Sequence, residues 1–340
     1  MSFRFWQRIR LAPWVTLNLS KSSASLSFGP PGAKYTIGPS GHRITAGLPG
    51  SGLFYSVHAP HGQQGSRRSP PAPTARERLD LGFLRRLLMP AAERSFVDGL
   101  LALDDGGEAA ALAALEQAGA LPDAAWLAGI LRLKLEDLTA ARTHLQSALA
   151  GSGLLGSTLD KYGLSLAVTF PVAPDVIAHA RPSEYGARLA LVEIAQIEQR
   201  TDGAMAHLER LLTLARADAV VQASFAELVL DRQGQDRPSL ERIVALTADV
   251  ENETPVHTAL LLYRGRALVQ LGLDAAAQDV FTLALRRRAD RPPALLRQIR
   301  YERAVLYERQ GRRPQARQAF ERLYAEAPDF ADVRQRLGLA

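Results

Sequence analysis

Five positions recur through the second part of the chain with one internal spacing, and that recurrence restricts the fold more than any other feature. Ala304, Tyr307, Gly311, Ala316 and Phe320 stand 3, 4, 5 and 4 residues apart, with Pro328 closing the stretch. Gly265, Leu268, Gly272, Ala277 and Phe281 repeat the spacing. Weaker copies are Gly99/Ala102/Gly106/Ala111/Leu115, Gly129/Arg132/Glu136/Ala141/Leu145 and Val192/Ala195/Gln199/Ala204/Leu208. The physics of a helix pair accounts for each position. A small residue on the first helix lets the second approach, and a bulky one three places on fills the gap between them. Glycine then ends the first helix in a left-handed cap. Alanine and a large apolar residue on the second helix pack back against the first. Three or more such pairs suffice to stack into a continuous core.

This pattern resembles the tetratricopeptide repeat, a helix–turn–helix unit of roughly 34 residues. The resemblance implies a mainly α protein, a right-handed α-solenoid over residues 77–340. The period is uneven, because Ala111, Ala141, Ala204, Ala277 and Ala316 lie 30, 63, 73 and 39 residues apart. The gap of 73 hides an eroded pair with helices near 221–233 and 239–250. The gap of 63 holds an irregular insertion at about 151–182, in which Leu164–Val172 and Asp175–Ala180 read as extended segments. That insertion is a β-hairpin or a long loop folding onto the solenoid. A helix at 74–89 is expected before the repeats and a closing one at 332–337.

Charge divides the chain differently from its net value. There are 340 residues with 41 Lys and Arg against 35 Asp and Glu, formally +6. Residues 1–76 contain nine cations and no acid, so the remaining 264 carry 32 cations and 35 acids. Between the two parts, 58–76 is Pro, Gly, Ser and charge without apolar periodicity, which is the composition of a linker.

Before the linker, apolar residues alternate in six short runs separated by Gly/Pro turns at 29–32, 38–41 and 49–52. This pattern predicts a small antiparallel β module over residues 1–57. Alternation sets Arg4, Arg8, Arg10, Lys34 and Arg43 on the face opposite the apolar set, giving a basic face. A module this short without disulfides is marginal alone, so its apolar face is expected to dock on the helical region or to self-associate. Phe3-Arg4-Phe5, Val15–Ser22 and Thr45–Tyr55 resemble an uncharacterised bacterial N-terminal domain of unknown function. Ser23 replaces the glycine that commonly follows the Lys-Ser pair, which alters only a turn.

Several chemistries are excluded or disfavoured. The chain has no Cys, so disulfides, thiolate metal sites and thiol nucleophiles are out. Gly47–Gly52 is followed by strand-like Leu53–Val57 rather than Lys-Ser/Thr and a helix, so it is a turn and not a phosphate loop. His42, His58 and His61 lack an accompanying carboxylate, so they read as ordinary histidines and no metal or other cofactor is expected. No nucleophile elbow, zinc helix or dinucleotide fingerprint occurs, and the expected catalytic set is empty. Enzyme is the weakest of three functional classes.

The first class is a non-enzymatic adaptor or scaffold that binds a protein or peptide along the solenoid's concave face. Helical phase points Trp126, Glu193, Arg266, Tyr301 and Arg309 toward that groove. Aromatic residues beside arginine make binding hot spots, although Trp126 fits equally well as interhelical core. The ordered Lys/Asn/Lys/Arg clamp by which some tetratricopeptide proteins grip chaperone termini is not reproduced. The second class is binding of nucleic acid or acidic lipid through the basic module, with Trp6 and Trp14 nearby. No nucleic-acid motif supports it, and docking of the module on the mildly acidic solenoid competes with it. Arg4, Arg8 and Arg10 precede Leu11–Val15 as in a signal peptide, but Asn18, Ser20 and Lys21 interrupt the apolar core. A cytoplasmic location is therefore expected. Four Lys against 37 Arg, with abundant Ala and Leu, is the codon usage of a G+C-rich bacterium.

Overall fold

The structure is a computed structural model. It describes the strand backbones 17–19, 26–28, 33–38, 41–47 and 53–59, then Leu79, Arg86, and residues 88–164, 166–173, 176–231 and 236–339. The expected helix at 74–89 therefore lies outside the described residues save at its isolated positions, and residues 60–76 of the expected linker lie outside them altogether.

Helices dominate. They come in antiparallel pairs: α1 (Ala91–Asp104) with α2 (Glu108–Gln117), α3 (Pro122–Lys134) with α4 (Leu138–Ala150), and, after the insertion containing the short α5 (Ser157–Lys161), α6 (Glu184–Ile197) with α7 (Thr201–Leu214). The eroded pair is α8 (Ala219–Asp231) and α9 (Arg237–Leu246). Then follow α10 (Pro255–Gln270) with α11 (Asp274–Arg286), α12 (Pro293–Arg309) with α13 (Arg313–Glu326), and a closing α14 (Val333–Leu337). The described elements form two compact units. One holds α1–α6 and most of α7, and the other α8–α14.

The recurring spacing has a direct structural meaning. Ala111, Ala141, Ala204 and Ala277 are fully buried, as are Leu115, Leu145, Leu208 and Phe281 four residues after them. A methyl on Gly129 would come within 2.7 Å of the Leu145 Cγ, and one on Gly99 within 2.8 Å of the Leu115 Cγ. Such separations are well inside van der Waals contact, so the small first residue sets how closely the helices of a pair approach.

The third position of each copy takes positive φ: Gly106 at 79°, Glu136 at 62°, Gln199 at 57°, Gly272 at 77° and Gly311 at 73°. Each ends its helix with the same two hydrogen bonds. In the α10 cap, the Gly272 N–H donates to the Val269 carbonyl at 3.1 Å and the Leu273 N–H to that of Leu268 at 2.8 Å. In the α3 cap, Glu136 donates to Leu133 and Asp137 to Arg132, both at 3.0 Å. The backbone cap thus recurs through the copies even where glycine is absent, with Glu136 and Gln199 bearing the steric strain.

The insertion forms two strands, β6 (Leu166–Ala173) and β7 (Val176–Ala180), which join the five N-terminal strands β1 (Leu17–Leu19), β2 (Leu26–Phe28), β3 (Ala33–Gly38), β4 (Gly41–Gly47) and β5 (Leu53–Ala59). The strand order is β1-β6-β7-β5-β4-β3-β2. The β1–β6 pairing is antiparallel, with Leu17 opposite Val168 and Leu19 opposite Leu166. The β5–β7 pairing sets Leu53 opposite Ala180 and Tyr55 opposite Ala178, again antiparallel. Strand β5 continues through His58 to Ala59, past the module boundary expected at 57.

Candidate partner-binding surface

The first helices of the pairs, α3, α6, α10 and α12, carry the residues expected along a groove. The structure treats them unequally. Trp126 is fully buried, and its indole Nε1 has no acceptor among the described residues. This corrects its assignment to an exposed groove. Helix α3 packs against α2, α4, α5 and α6, leaving ten of its 13 residues buried. The core reading, left open by helical phase, is the one that fits. Glu193 is half-buried on α6.

Arg266 on α10 makes a forked pair with Glu302 on α12. Its Nε and Nη2 donate to Glu302 Oε1 at 2.9 and 2.6 Å, and Gln298 Nε2 donates to the same oxygen at 2.9 Å. The two charged side chains retain 20% and 23% of their exposure, so the pair sits at a surface but is shielded. Burial works against the Arg266 charge, but the Glu302 charge and hydrogen bonds outweigh it and raise its pKa. One turn earlier, Tyr263 is 2% exposed. Burial first, then the Glu227 and Asp231 carboxylates of α8, push its phenol well above the ordinary value against the opposing pull of Arg266. Three successive first helices therefore share one polar face, with Glu227 and Asp231 on α8, Arg266 on α10, and Gln298 and Glu302 on α12.

Tyr301 and Arg309 are tied into the fold. The Tyr301 hydroxyl donates to Asp332 Oδ1 at 2.6 Å, and its ring lies 6.1 Å from Phe320 and 5.9 Å from Phe330. Arg336 covers this cluster at 5.8 Å from the Tyr301 ring and 5.5 Å from that of Phe320. Burial and the bond to Asp332 push the Tyr301 phenol up to about 12. The exposed Arg309 pairs with Asp274 and donates from Nη1 to the Val269 carbonyl at 3.3 Å, linking α12 back to the preceding pair. Arg266, Tyr301 and Arg309 thus each have an intramolecular acidic partner, and sequence phase did not reveal those partners. Gln298 and Glu302 were the findable ones, since they lie four residues apart on one face of α12.

Comparison with solved structures places this geometry in a known fold. The N-terminal domain of the EccA1 ATPase from the ESX-1 secretion system of Mycobacterium tuberculosis superposes with a TM-score of 0.50 at 18% identity, over 73% of this chain and 88% of that one. A thermophilic TPR protein from Thermus thermophilus matches at 20% identity and TM-score 0.38, over 64% and 97% of the two chains. A tetratricopeptide repeat protein from Parabacteroides merdae matches at 13% and 0.32, over 73% and 98%. Residues 3–56 match the family described as Protein of unknown function (DUF4236). The helical pairs thus share the fold of the EccA1 N-terminal domain, and residues 3–56 are similar to an uncharacterised family. No curated protein matches this chain.

No group of three or more metal-ligating side chains comes together among the described residues, and no described helix is long and apolar enough to cross a membrane. His42 pairs in register with Ala59, and His58 with Arg43. His61 lies outside the described residues, as do Arg4, Arg8 and Arg10 of the basic face. Lys34 stands opposite Thr45, and Arg43 opposite Thr36, so positions 34 and 43 share one face of the sheet.

Proposed function

We propose that the protein is a non-enzymatic, cytoplasmic adaptor whose helical repeats bind a protein or peptide partner along the face formed by the first helices. The architecture proposed for it is a β module over 1–57, a linker over 58–76 and a right-handed solenoid over 77–340 with an insertion at 151–182. The observation that carries the function is the shared polar face of α8, α10 and α12. Charged groups there are held by hydrogen bonds at partial burial, where a partner desolvates them at little further cost and reads a fixed pattern. Arg266, Tyr301 and Arg309 belong to the proposed groove.

The test is affinity capture with the full chain and with an Arg266→Ala, Glu302→Ala variant whose melting temperature is checked first. A protein captured by the native chain and lost from the variant supports the groove. Identical captured sets remove it.

A second reading rests on the charge division. Nine cations without an acid in residues 1–76 favour binding to an anionic surface, nucleic acid or acidic lipid. Titration of the full chain with duplex DNA, RNA and anionic vesicles at two salt concentrations decides it. Binding that weakens with salt sustains the reading, and no binding at low salt ends it.

A further inference from the structure

The excursion between α4 and α6 is supported in a way that a tolerated surface loop is not. Asp123 of α3 is completely buried and accepts backbone N–H groups from its first turns: Gly156 at Oδ1, and Thr158 and Leu159 at Oδ2 at 2.9 and 3.1 Å. Glu93 of α1, 8% exposed, accepts from the Tyr162 hydroxyl at 2.6 Å and pairs with Lys161. Buried carboxylates are costly unless satisfied by such donors, so two of them aimed at one short segment fix its position firmly. Gly156 turns the chain at φ 92°, where an added methyl would meet the Pro182 carbonyl at 3.3 Å. Leu159, Leu164, Leu166, Val168 and Ala180 are buried, so both strands leave the helices on an apolar footing.

The strand order shows what this base holds up. β6 and β7 lie between β1 and β5, and among the described strands β1 has no neighbour in the sheet other than β6. The matched family segment, residues 3–56, therefore contributes strands to both outer edges of the hairpin. Without the hairpin, β2–β5 remain a four-stranded meander and β1 has no place in it.

We infer that the 152–180 excursion is a strand receptor for the chain's own N-terminal segment: β6 takes β1 along one edge and β7 takes β5 along the other. Main-chain hydrogen bonds supply the attachment, as in other cases of strand addition. The register sets Leu17 and Leu19 opposite Val168 and Leu166, which are buried, and Leu53 opposite the buried Ala180. The receptor role stands whether or not the groove binds a partner.

The experiment uses the full chain with a protease site introduced within residues 64–72. After cleavage, gel filtration reads whether the N-terminal fragment stays with the helical fragment. The native hairpin is expected to retain it at the mass of one chain. Replacing 165–179 with a short Gly/Ser loop is expected to release it, while amide protection in α10 and α12 stays unchanged. Should that replacement disturb the helices, Ala178→Pro, which removes one β7 donor opposite Tyr55, is expected to weaken retention instead. Release from the native chain overturns the inference, as does full retention by both variants. Retention only at twice the monomer mass overturns it too, since the strands would then come from a second copy.

Discussion

Gly265 of α10 lies directly against the ring of Phe281 on α11, sixteen residues away, so closely that a methyl group at position 265 would overlap three ring carbons. The fully buried ring has no exposed side toward which to move. In the next pair, Ala304 stands in the same relation to Phe320, so the two helix pairs solve one packing problem with different small residues.

Gly265→Ala should therefore destabilise the chain by about 2 kcal/mol, the cost of overpacking a filled core. Combining it with Phe281→Ala should cost less than the two changes added together, because the new methyl partly fills the cavity left by the ring. Chemical denaturation of the four forms measures this coupling. Strict additivity would show that the two positions do not constrain each other.

The left-handed caps at Glu136 and Gln199 should respond in the opposite direction. Both residues hold positive φ, at 62° and 57°, in hydrogen-bonded turns that glycine occupies elsewhere in the chain. Glu136→Gly and Gln199→Gly should each stabilise by about 0.5–1 kcal/mol, the relief of the left-handed strain less the added freedom of the unfolded chain. A thermal melt reads the gain, and an unchanged or lower midpoint would count against the strained-cap assignment.

Much of this was legible beforehand, for reasons that differ by residue. The cap positions stand out because left-handed backbone selects glycine, and the weaker copies remain recognisable because the packing residues sixteen apart persist. Trp126 was ambiguous because a helix packed on nearly all sides leaves no polar face to give its phase away. The pairing of Leu17–Leu19 with Leu166–Val168 was hidden altogether. Strand addition works through main-chain groups that every residue carries, so it leaves no pattern in the side chains. The attachment of Tyr301 to Asp332 was also out of reach, since the partner sits at the start of a different helix.

Burial of Tyr301, together with its bond to Asp332, makes the chain sensitive to alkali. Folding raises the phenol from 10.0 to about 12, so the folded state holds that proton more tightly than the unfolded one. Its contribution is complete below pH 10 and fades as pH rises through about 12. Asp332 works the other way. Burial opposes its charge, but the bonds from Arg336 and Tyr301 outweigh that and lower its pKa, so its contribution is lost on acidification. Melting temperatures of the native chain should fall more steeply above pH 10 than those of Tyr301→Phe. Parallel curves would contradict a phenol whose proton is held more tightly in the folded state.

Asp123→Ala should cost about 2–4 kcal/mol, because three backbone donors lose a shared buried acceptor. Hydrogen exchange should then rise first at Gly156, Thr158 and Leu159, the residues whose N–H groups point at the carboxylate. Unchanged protection at those amides would mean that Asp123 does not hold the base of the hairpin.

The adaptor role is tested most directly by photocrosslinking in the native cell. A photoreactive residue is placed at Gln298, beside the Arg266–Glu302 pair, and in a separate chain at Arg317, an exposed position on α13. A single partner crosslinked from position 298 and absent from position 317 is the expected result. Equal crosslinking from both positions, or none from 298, would contradict a partner seated on the face of the first helices.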